Sequence, residues 1–496
     1  MKKVILFVVD SLHPVVLGRM ISEGNVPAFS FLAKHGTYLD RVVSSFPTMT
    51  PVATSSMITG TWPDRHRVPG FIWYNEEIRK IVDYGATRHS VLKIGTEKVL
   101  RNLLIKLNEE HLSPETPTLY EELEARGYSA GNVNFFMHRA KHPYRAKVPF
   151  LLALATRFQL NHAEVSGPSH LTLGQFIHPS FTGRVNAYPR GAFHRFGFND
   201  SFSGRIAAQI VREGNQPDLM VVYFPDNDKY SHQHGPLRSG PSLERADSQV
   251  AAVLDEFGSW EEAVEKNLII VTGDHSQTAV GLGKEYLIDL DSALKSFKRL
   301  RATEEANDDN NKEIAICPNE RMAFIYFLQR KNEILLDVVG ILAKDPRNAQ
   351  IAWKVSEGRY CVLQGGTEKQ LLFSCNGPYQ DVYGQRWSFK GDLSVVDAQV
   401  KGDQKIEFAK FPDAFTRLIS AIEARGQSPV VVSAASGYEY FAVGGPIHPG
   451  GGSHGSLEEE DSTVPMIVAG MPVRLEHPRI IDLFPMILGH FSQGKI

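Results

Sequence analysis

"KVILFVVDS", residues 3–11, holds an unbroken apolar run, Val4 to Val9, closed by Asp10. A run this short and this rich in β-branched residues suits a strand buried on both faces, as in a parallel sheet covered by helices. Its two preceding lysines imitate a secretory leader. Asp10 stops the run after Val9, however, short of the about 7–15 apolar residues and the small-residue cleavage site that such a leader needs. Four more runs repeat the pattern: "SAGNVNFFMHR" (129–139), "DLMVVYFPDND" (218–228), "NLIIVTGDHS" (267–276) and "PVVVSAASG" (429–437). Helical patterns lie between them, as in "TPTLYEELEARG" (116–127), which ends in a stop glycine, and "SLERADSQVAAVLDEFG" (242–258). Alternating strands and helices predict an α/β fold: a doubly wound, mostly parallel sheet with helices on both faces.

Two stretches interrupt the alternation. Residues 137–200 are rich in His, Pro and Gly and read as a cap-like insertion. There His138, Arg139, His142 and Arg145 are candidates for a pocket wall. Residues 300–425 open on the charged "ATEEANDDNNKE" and continue through short strand-like pieces and the helical "KNEILLDVVGILAK", which together read as a smaller α+β insertion. The expected organisation is a catalytic core in residues 1–299, the insertion in 300–425, and a closing part of the core in 426–496. The 496 residues are enough for one large domain with insertions.

A net charge of −3 with 22% charged residues excludes the broad basic surface of a nucleic-acid-polymer or membrane binder. No segment reaches the roughly 18 apolar residues of a membrane span. The three cysteines, Cys317, Cys361 and Cys375, form no motif and fit a reducing compartment, so a cytoplasmic location is expected.

In open α/β sheets, ligands bind beyond the carboxyl ends of the strands. Asp10 follows the first run. Asp226, Asp228, His232 and His234 follow "LMVVYFP", and Asp274 and His275 follow "LIIVTG". His454 stands in the glycine-rich "HPGGGSHGS" near the other end of the chain. Each alone is unremarkable, since a strand-end Asp often caps a helix and a glycine-flanked His is usually a loop residue. Jointly they form a mixed Asp/His set that suits zinc, with manganese or iron fitting less well. A hydroxyl or water on such a metal becomes a nucleophile near neutral pH. His13, His35, His89 and His111 have no convergent partners and read as surface or cap residues.

"FPTMTPVATSSMITG" (46–60) offers six hydroxyls, of which only Thr50 directly precedes a proline. Thr is a favoured helix cap and Pro a favoured first helical residue, so a short helix is expected from Pro51 to Thr59, stopped by Gly60. Thr50 then stands at the positive end of the helix, where anions bind. Thr48 is the alternative nucleophile.

These motifs resemble the alkaline phosphatase superfamily, in particular its nucleotide pyrophosphatase/phosphodiesterase branch. "FVVDS", "FPTMTPVATSSMITG", "DKYSHQHGP", "TGDHS" and "GSHGS" carry the resemblance in order, and "DSTVPMIVAG" (461–470) looks like the family's closing strand. It covers roughly residues 1–280 and 430–490 and implies an alkaline-phosphatase-like sheet. It also implies two divalent cations, most simply zinc and alternatively manganese. Asp228, His232 and His454 would hold one; Asp10, Asp274 and His275, with the Thr50 hydroxyl, would hold the other. The implied reaction is hydrolysis of a phosphodiester or nucleotide pyrophosphate through a phospho-threonine. The substrate is a small phosphate ester or nucleotide-like molecule.

This chain departs from the branch at Pro51, where an aromatic residue is usual, and at Ala53, where an Asn is usual. Arg65 and Arg67, in "PDRHRVPGF", are candidate substitutes as phosphate ligands. Three alternatives stay open: a phosphomonoesterase, a phosphonate hydrolase of the same superfamily, and a metal-binding protein without activity. A sulfatase is disfavoured, since no cysteine precedes position 317.

Overall fold

The computed structural model describes residues 1–85, 91, 94–156, 160, 163–177, 191–307, 311–329 and 331–492. Its centre is a seven-stranded sheet. In spatial order the strands are Gly36–Val43, Thr463–Ala469, Asn267–Thr272, Lys3–Val9, Leu219–Phe224, Ala130–Val133 and His170–Thr172. The five strands from Asn267–Thr272 to His170–Thr172 are mutually parallel. Thr463–Ala469 runs antiparallel to both of its neighbours.

Alternation along Lys3–Val9 divides the interior. Ile5, Phe7 and Val9 face the helices Pro14–Glu23, Pro27–Lys34, Asp200–Arg212 and Gly240–Leu254. Val4, Leu6 and Val8 face a second core built with the helices Thr50–Thr59, Leu119–Ala125 and Ala414–Glu423. Helices therefore cover both faces of the sheet. The helix in 116–127 is set by its ends: the Thr118 hydroxyl accepts the Glu121 N–H at 3.1 Å, the Glu121 carboxylate accepts the Thr118 N–H at 2.7 Å, and Gly127 adopts φ 86°.

A second, largely antiparallel sheet of nine strands lies between Ile314 and Ala434. The run "PVVVSAASG" belongs here and not to the parallel sheet. Val430–Ala434 pairs antiparallel with Met322–Phe327 on one side and Asn348–Ser356 on the other. Val431 is buried in one core, and Val430, Val432 and Ala434 in another. A strand covered on both faces looks the same in sequence whichever sheet holds it, which is why the pattern misplaced it.

Within 137–200, His142–Arg145 pairs with Glu164–Gly167, while His170–Thr172 joins the edge of the main sheet. Residues 178–190 and His89 lie outside the described residues. The described residues do not place His138 and Arg139 on the expected pocket wall. His138 is buried against the carbonyls of Ser166 and Leu104, and Arg139 pairs with Glu121. Among the described residues no helix is long and apolar enough to cross a membrane.

The two sheets are fastened by Arg321, which is completely buried. With Glu320 it forms the turn of the hairpin Ile314–Asn319/Met322–Phe327. Its guanidinium donates to Asp461 Oδ1 at 2.6 Å and to Glu458 Oε2 at 2.7 Å, both ahead of the antiparallel strand of the main sheet. Removing one member of a buried ion pair strands its partner's charge at a cost of about 3–5 kcal/mol. Arg321→Leu is therefore expected to lower the unfolding free energy by about that amount, read by urea denaturation. A loss below about 1 kcal/mol, the ceiling for exposed pairs, would show that these charges do not fasten the sheets.

Candidate metal centre

Three neighbouring strands of the main sheet end at the same height, since Val8 pairs with Thr272 and Val9 with Phe224. Their exits carry the acidic residues. Asp10 follows Val9 directly, and Asp274 and His275 follow Asn267–Thr272 through Gly273. Asp228 and His232 lie one turn apart on the helix Asp226–His234, with His232 Nε2 3.2 Å from Asp228 Oδ1. His454 arrives from a loop fitted against its surroundings by glycines. A Cβ on Gly451 would stand 1.9 Å from the His232 carbonyl oxygen, and one on Gly455 (φ 113°) 2.4 Å from that of Asn319.

The imidazoles are pre-aimed. His232 Nδ1–H donates to the Gly452 carbonyl at 2.8 Å, and His454 Nδ1–H to that of Thr48 at 2.6 Å. Their Nε2 atoms are left facing the acidic cluster. Around His275 Nε2 lie Asp10 Oδ1 at 3.7 Å, Asp274 Oδ2 at 3.6 Å and the Thr50 hydroxyl at 3.1 Å. His454 Nε2 lies 3.6 Å from Asp228 Oδ1. The structure thus brings Asp10, Thr50, Asp228, His232, Asp274, His275 and His454 into one centre.

It leaves out other candidates. His234 is exposed and turns back to the Tyr230 carbonyl, and Asp226 pairs with backbone at Asp200. Arg65 and Arg67 are exposed and do not line the cavity beside Thr50. His111, expected at the surface, is buried against Tyr84.

The hydroxyl stretch forms the helix Thr50–Thr59, one residue earlier than expected. Met49 is the cap residue, and its carbonyl accepts the N–H groups of Val52 and Ala53. Thr50 is therefore not a cap, and its hydroxyl points out of the helix toward His275. Gly60 closes the helix at φ 64°. Every other hydroxyl of the stretch has a partner elsewhere. Thr54, Ser55 and Thr59 donate to carbonyls one turn back, Ser56 meets His66 Nε2, and Thr48 accepts the Gly455 N–H at 2.7 Å. Ala53, at the position where the branch carries Asn, is buried in the core beside the helix.

Supporting residues that sequence reasoning missed surround this set. Ser11, at φ 57°, donates its hydroxyl to Asp228 at 2.7 Å and its N–H to Asp274 at 3.1 Å. Gln277 also donates to Asp228, at 2.7 Å, and the Tyr223 hydroxyl donates to Asp10. Ser11 and Gln277 stand beside the strand-end motifs, so adjacency was their only signal. Glu320 and His448 reach the same cavity of about 210 Å³, which Met49, Thr50, Phe71 and Pro318 also line. His448 had a signal in the His-rich loop "HPGGGSHGS"; Glu320, in a hairpin turn of the other sheet, had none.

The electrostatics ask for cations. Burial, then the charges of Asp274 and Asp228, push the Asp10 carboxyl well above its ordinary range. Burial, with Asp228 nearby, raises Asp274 to about 7. At His232 burial opposes the charged ring, but Asp228 and Glu320 outweigh it and push the imidazole up to about 10. At Glu320 burial acts upward, yet His454, His232 and His448 hold the carboxyl down at about 2. Buried Asp10 Oδ1 and Asp274 Oδ2 have no hydrogen-bond partner. Unpartnered carboxylate oxygens beside inward-facing imidazole nitrogens fit divalent cations, and the mixed donor set fits zinc-type ions.

The chain matches the sequence profile of the type I phosphodiesterase / nucleotide pyrophosphatase family over residues 4–358. No curated protein sequence matches it. Its fold is similar to that of murine ectonucleotide pyrophosphatase/phosphodiesterase 5, with a TM-score of 0.57 at 14% identity over 99% of this chain and 95% of that one. The human protein of the same name gives a TM-score of 0.56 at 13% identity over the same shares. An inactive threonine-to-alanine variant of the murine protein, in complex with AMP, gives 0.54 at 14% identity, again over 99% and 95% of the two chains.

The raised Asp274 carboxyl makes a testable demand. Its folded-state value of about 7 lies above the ordinary 3.8, so its contribution to stability is complete below 3.8 and is lost as pH rises through about 7. In chelator, the melting temperature of the wild type is expected to fall relative to that of Asp274→Asn as pH rises from 3.8 to about 7. Added zinc should reverse the order at neutral pH. Parallel pH profiles for the two proteins would contradict the burial of an uncompensated carboxylate here.

The chain belongs to the type I phosphodiesterase / nucleotide pyrophosphatase family of hydrolases, within the alkaline phosphatase superfamily.

Proposed function

From that membership we propose that the protein hydrolyses phosphodiesters or nucleotide pyrophosphates with Thr50 as nucleophile and two divalent cations as cofactors. The observation that carries this reading is the Thr50 hydroxyl, freed from capping and 3.1 Å from His275 Nε2 at the mouth of the acidic cluster. Asp228, His232 and His454 would hold one cation and Asp10, Asp274 and His275 the other, with zinc the best match and manganese the alternative. Bound there, the cations supply Lewis-acid charge that lowers the pKa of a neighbouring hydroxyl and offsets charge on the phosphoryl oxygens.

Thr50 Oγ attacks phosphorus in line with the leaving oxygen. The new Oγ–P bond forms as the ester P–O bond breaks, giving a phospho-threonine and releasing the first product. Attack by water on that phosphorus then breaks the Oγ–P bond and restores the Thr50 hydroxyl, so the phosphate monoester, still carrying its second ester group, leaves with retention overall. Tyr223 orients Asp10, and Ser11 and Gln277 orient Asp228, holding the donors in place across both displacements. Phe71 and Pro318 give the cavity an apolar wall that suits the ring of a nucleoside or aryl group. The structure of the similar murine protein in complex with AMP supports a nucleotide-like occupant.

Pro51 carries no N–H, and Ala53 cannot hydrogen-bond a phosphoryl oxygen through its side chain. With Arg65 and Arg67 turned to solvent, no arginine among the described residues lines the cavity to clamp a dianionic monoester. The zinc-loaded protein is therefore expected to favour an aryl phosphodiester over the matching monoester in kcat/KM. A monoester preference would replace the phosphodiesterase reading with that of a phosphomonoesterase. Thr50→Ala should retain both metals and lose about a thousandfold or more in kcat, since deleting a nucleophile removes most of the chemical acceleration. Near-wild-type turnover in that variant would overturn the assignment.

A further inference from the structure

We propose that Glu320 is a fourth protein ligand of the first metal position, delivered to it by the second sheet. The inference rests on the two-cation reading above and adds to it a residue from outside the main sheet. Glu320 occupies the turn between Ile314–Asn319 and Met322–Phe327 in the left-handed region, at φ 60°, which a non-glycine residue adopts at a cost. That backbone conformation, held by the bond from the Tyr440 N–H to the Glu320 carbonyl at 2.7 Å, sends a carboxylate into the cavity. Only 5% of the residue is exposed. Oε2 accepts the Ser453 hydroxyl at 3.0 Å and the His454 N–H at 3.1 Å, which fixes its orientation.

The donor spacing identifies its target. His232 Nε2 lies 3.2 Å from Asp228 Oδ1 and 3.9 Å from Glu320 Oε1. His454 Nε2 lies 3.6 Å from Asp228 Oδ1 and 3.5 Å from Glu320 Oε2. Each imidazole nitrogen thus lies between a carboxylate oxygen of Asp228 and one of Glu320. Ligands about 2.0–2.1 Å from a tetrahedral zinc stand about 3.3–3.4 Å from one another, close to these gaps. Two carboxylates with two neutral imidazoles also cancel a divalent charge.

His448 does not make a separate third site with His232 and Glu320. Its ring stacks on that of His232, with centroids 4.0 Å apart, and its Nδ1 lies 3.3 Å from Glu439. His232 Nδ1 is bonded to the Gly452 carbonyl, so His232 has one nitrogen to give. A third ion could take it only from the first.

The test is metal binding to the full chain, measured on metal-free wild type and Glu320→Gln by zinc calorimetry and by the visible spectrum of the cobalt-loaded protein. Glutamine keeps an acceptor for Ser453 and His454, so a purely structural role would survive the change. The wild type should bind two ions. In Glu320→Gln, affinity at one position should fall about 10- to 100-fold, the loss typical of disturbing a metal's ligand environment. The intense cobalt absorption of a four-coordinate site should fall with it. Two ions bound by the variant with wild-type affinity and an unchanged spectrum would overturn this proposal alone. Three ions in the wild type would also overturn it, in favour of a separate site at His448. Fewer than two in the wild type would sink the two-cation reading, and this proposal with it. If Glu320→Gln fails to fold by circular dichroism, Glu320→Asp makes the same comparison, with its shortened carboxylate expected to weaken the same position.

Discussion

Three carboxylates, Asp10, Asp228 and Asp274, are brought together at one end of a hydrophobic sheet, and much of the surrounding structure answers that constraint. The cause is the strand order. Asn267–Thr272, Lys3–Val9 and Leu219–Phe224 are adjacent and parallel, so whatever follows them emerges within a few ångströms. Neighbouring groups meet part of the resulting demand. Tyr223 serves Asp10, Ser11 and Gln277 serve Asp228, and the N–H groups of Ser11 and His275 serve Asp274. Asp10 Oδ1 and Asp274 Oδ2 remain without donors. Buried carboxylates in that state either take up protons or gather positive charge, and the inward-facing imidazole nitrogens beside them are the donors that make divalent cations the proposed source of that charge.

The second sheet is part of this arrangement rather than an appendage to it. Arg321 fixes its first hairpin to Glu458 and Asp461, and the Arg321 N–H donates to the His454 carbonyl at 2.8 Å. The loop bearing His454 is therefore held from both sides, by Thr48 just ahead of the helix Thr50–Thr59 and by the hairpin through Glu320 and Arg321. Glycine at 451 and 455 lets three backbones approach where any side chain would collide. A metal donor on a loop gains from such clamping, because small displacements of a ligand weaken a coordination site.

The strand-end positions were legible because a local pattern, an apolar run followed by a polar residue, coincides with a rule about sheets. Asp10, Asp228, His232, Asp274 and His275 all follow from it. Thr50 was legible from the threonine–proline pair, although its reading as a cap was one residue off. Helix start signals report a neighbourhood, and here the carbonyl of Met49 opens the helix. Glu320 had no local signal: its relevance comes from the docking of one sheet on the other, between residues far apart in sequence. The same limit misplaced Val430–Ala434, since apolar periodicity records how many faces are buried and not which sheet buries them. Arg65 and Arg67 misled for the opposite reason, being the right chemistry on a helix end that turns to solvent.

How one hydroxyl among six becomes distinctive is settled by subtraction. A serine or threonine inside a helix commonly donates to a carbonyl one turn back, as Thr54, Ser55 and Thr59 do. Ser56 is taken by His66, and Thr48 by the His454 loop. The first helical residue has no preceding turn to bond, and Met49 leaves it no capping duty. Thr50 alone among the six has its partner in the acidic cluster, His275 Nε2 at 3.1 Å. Pro51 strengthens the arrangement: its fixed φ starts the helix at the right residue, and its missing N–H is one that a helix start leaves unbonded in any case. On the proposed reading, the same proline also withholds an N–H that could have met a phosphoryl oxygen beside Thr50. The sequence feature that positions Thr50 would thus, on that reading, also leave the phosphoryl oxygens more dependent on cationic charge in the acidic cluster.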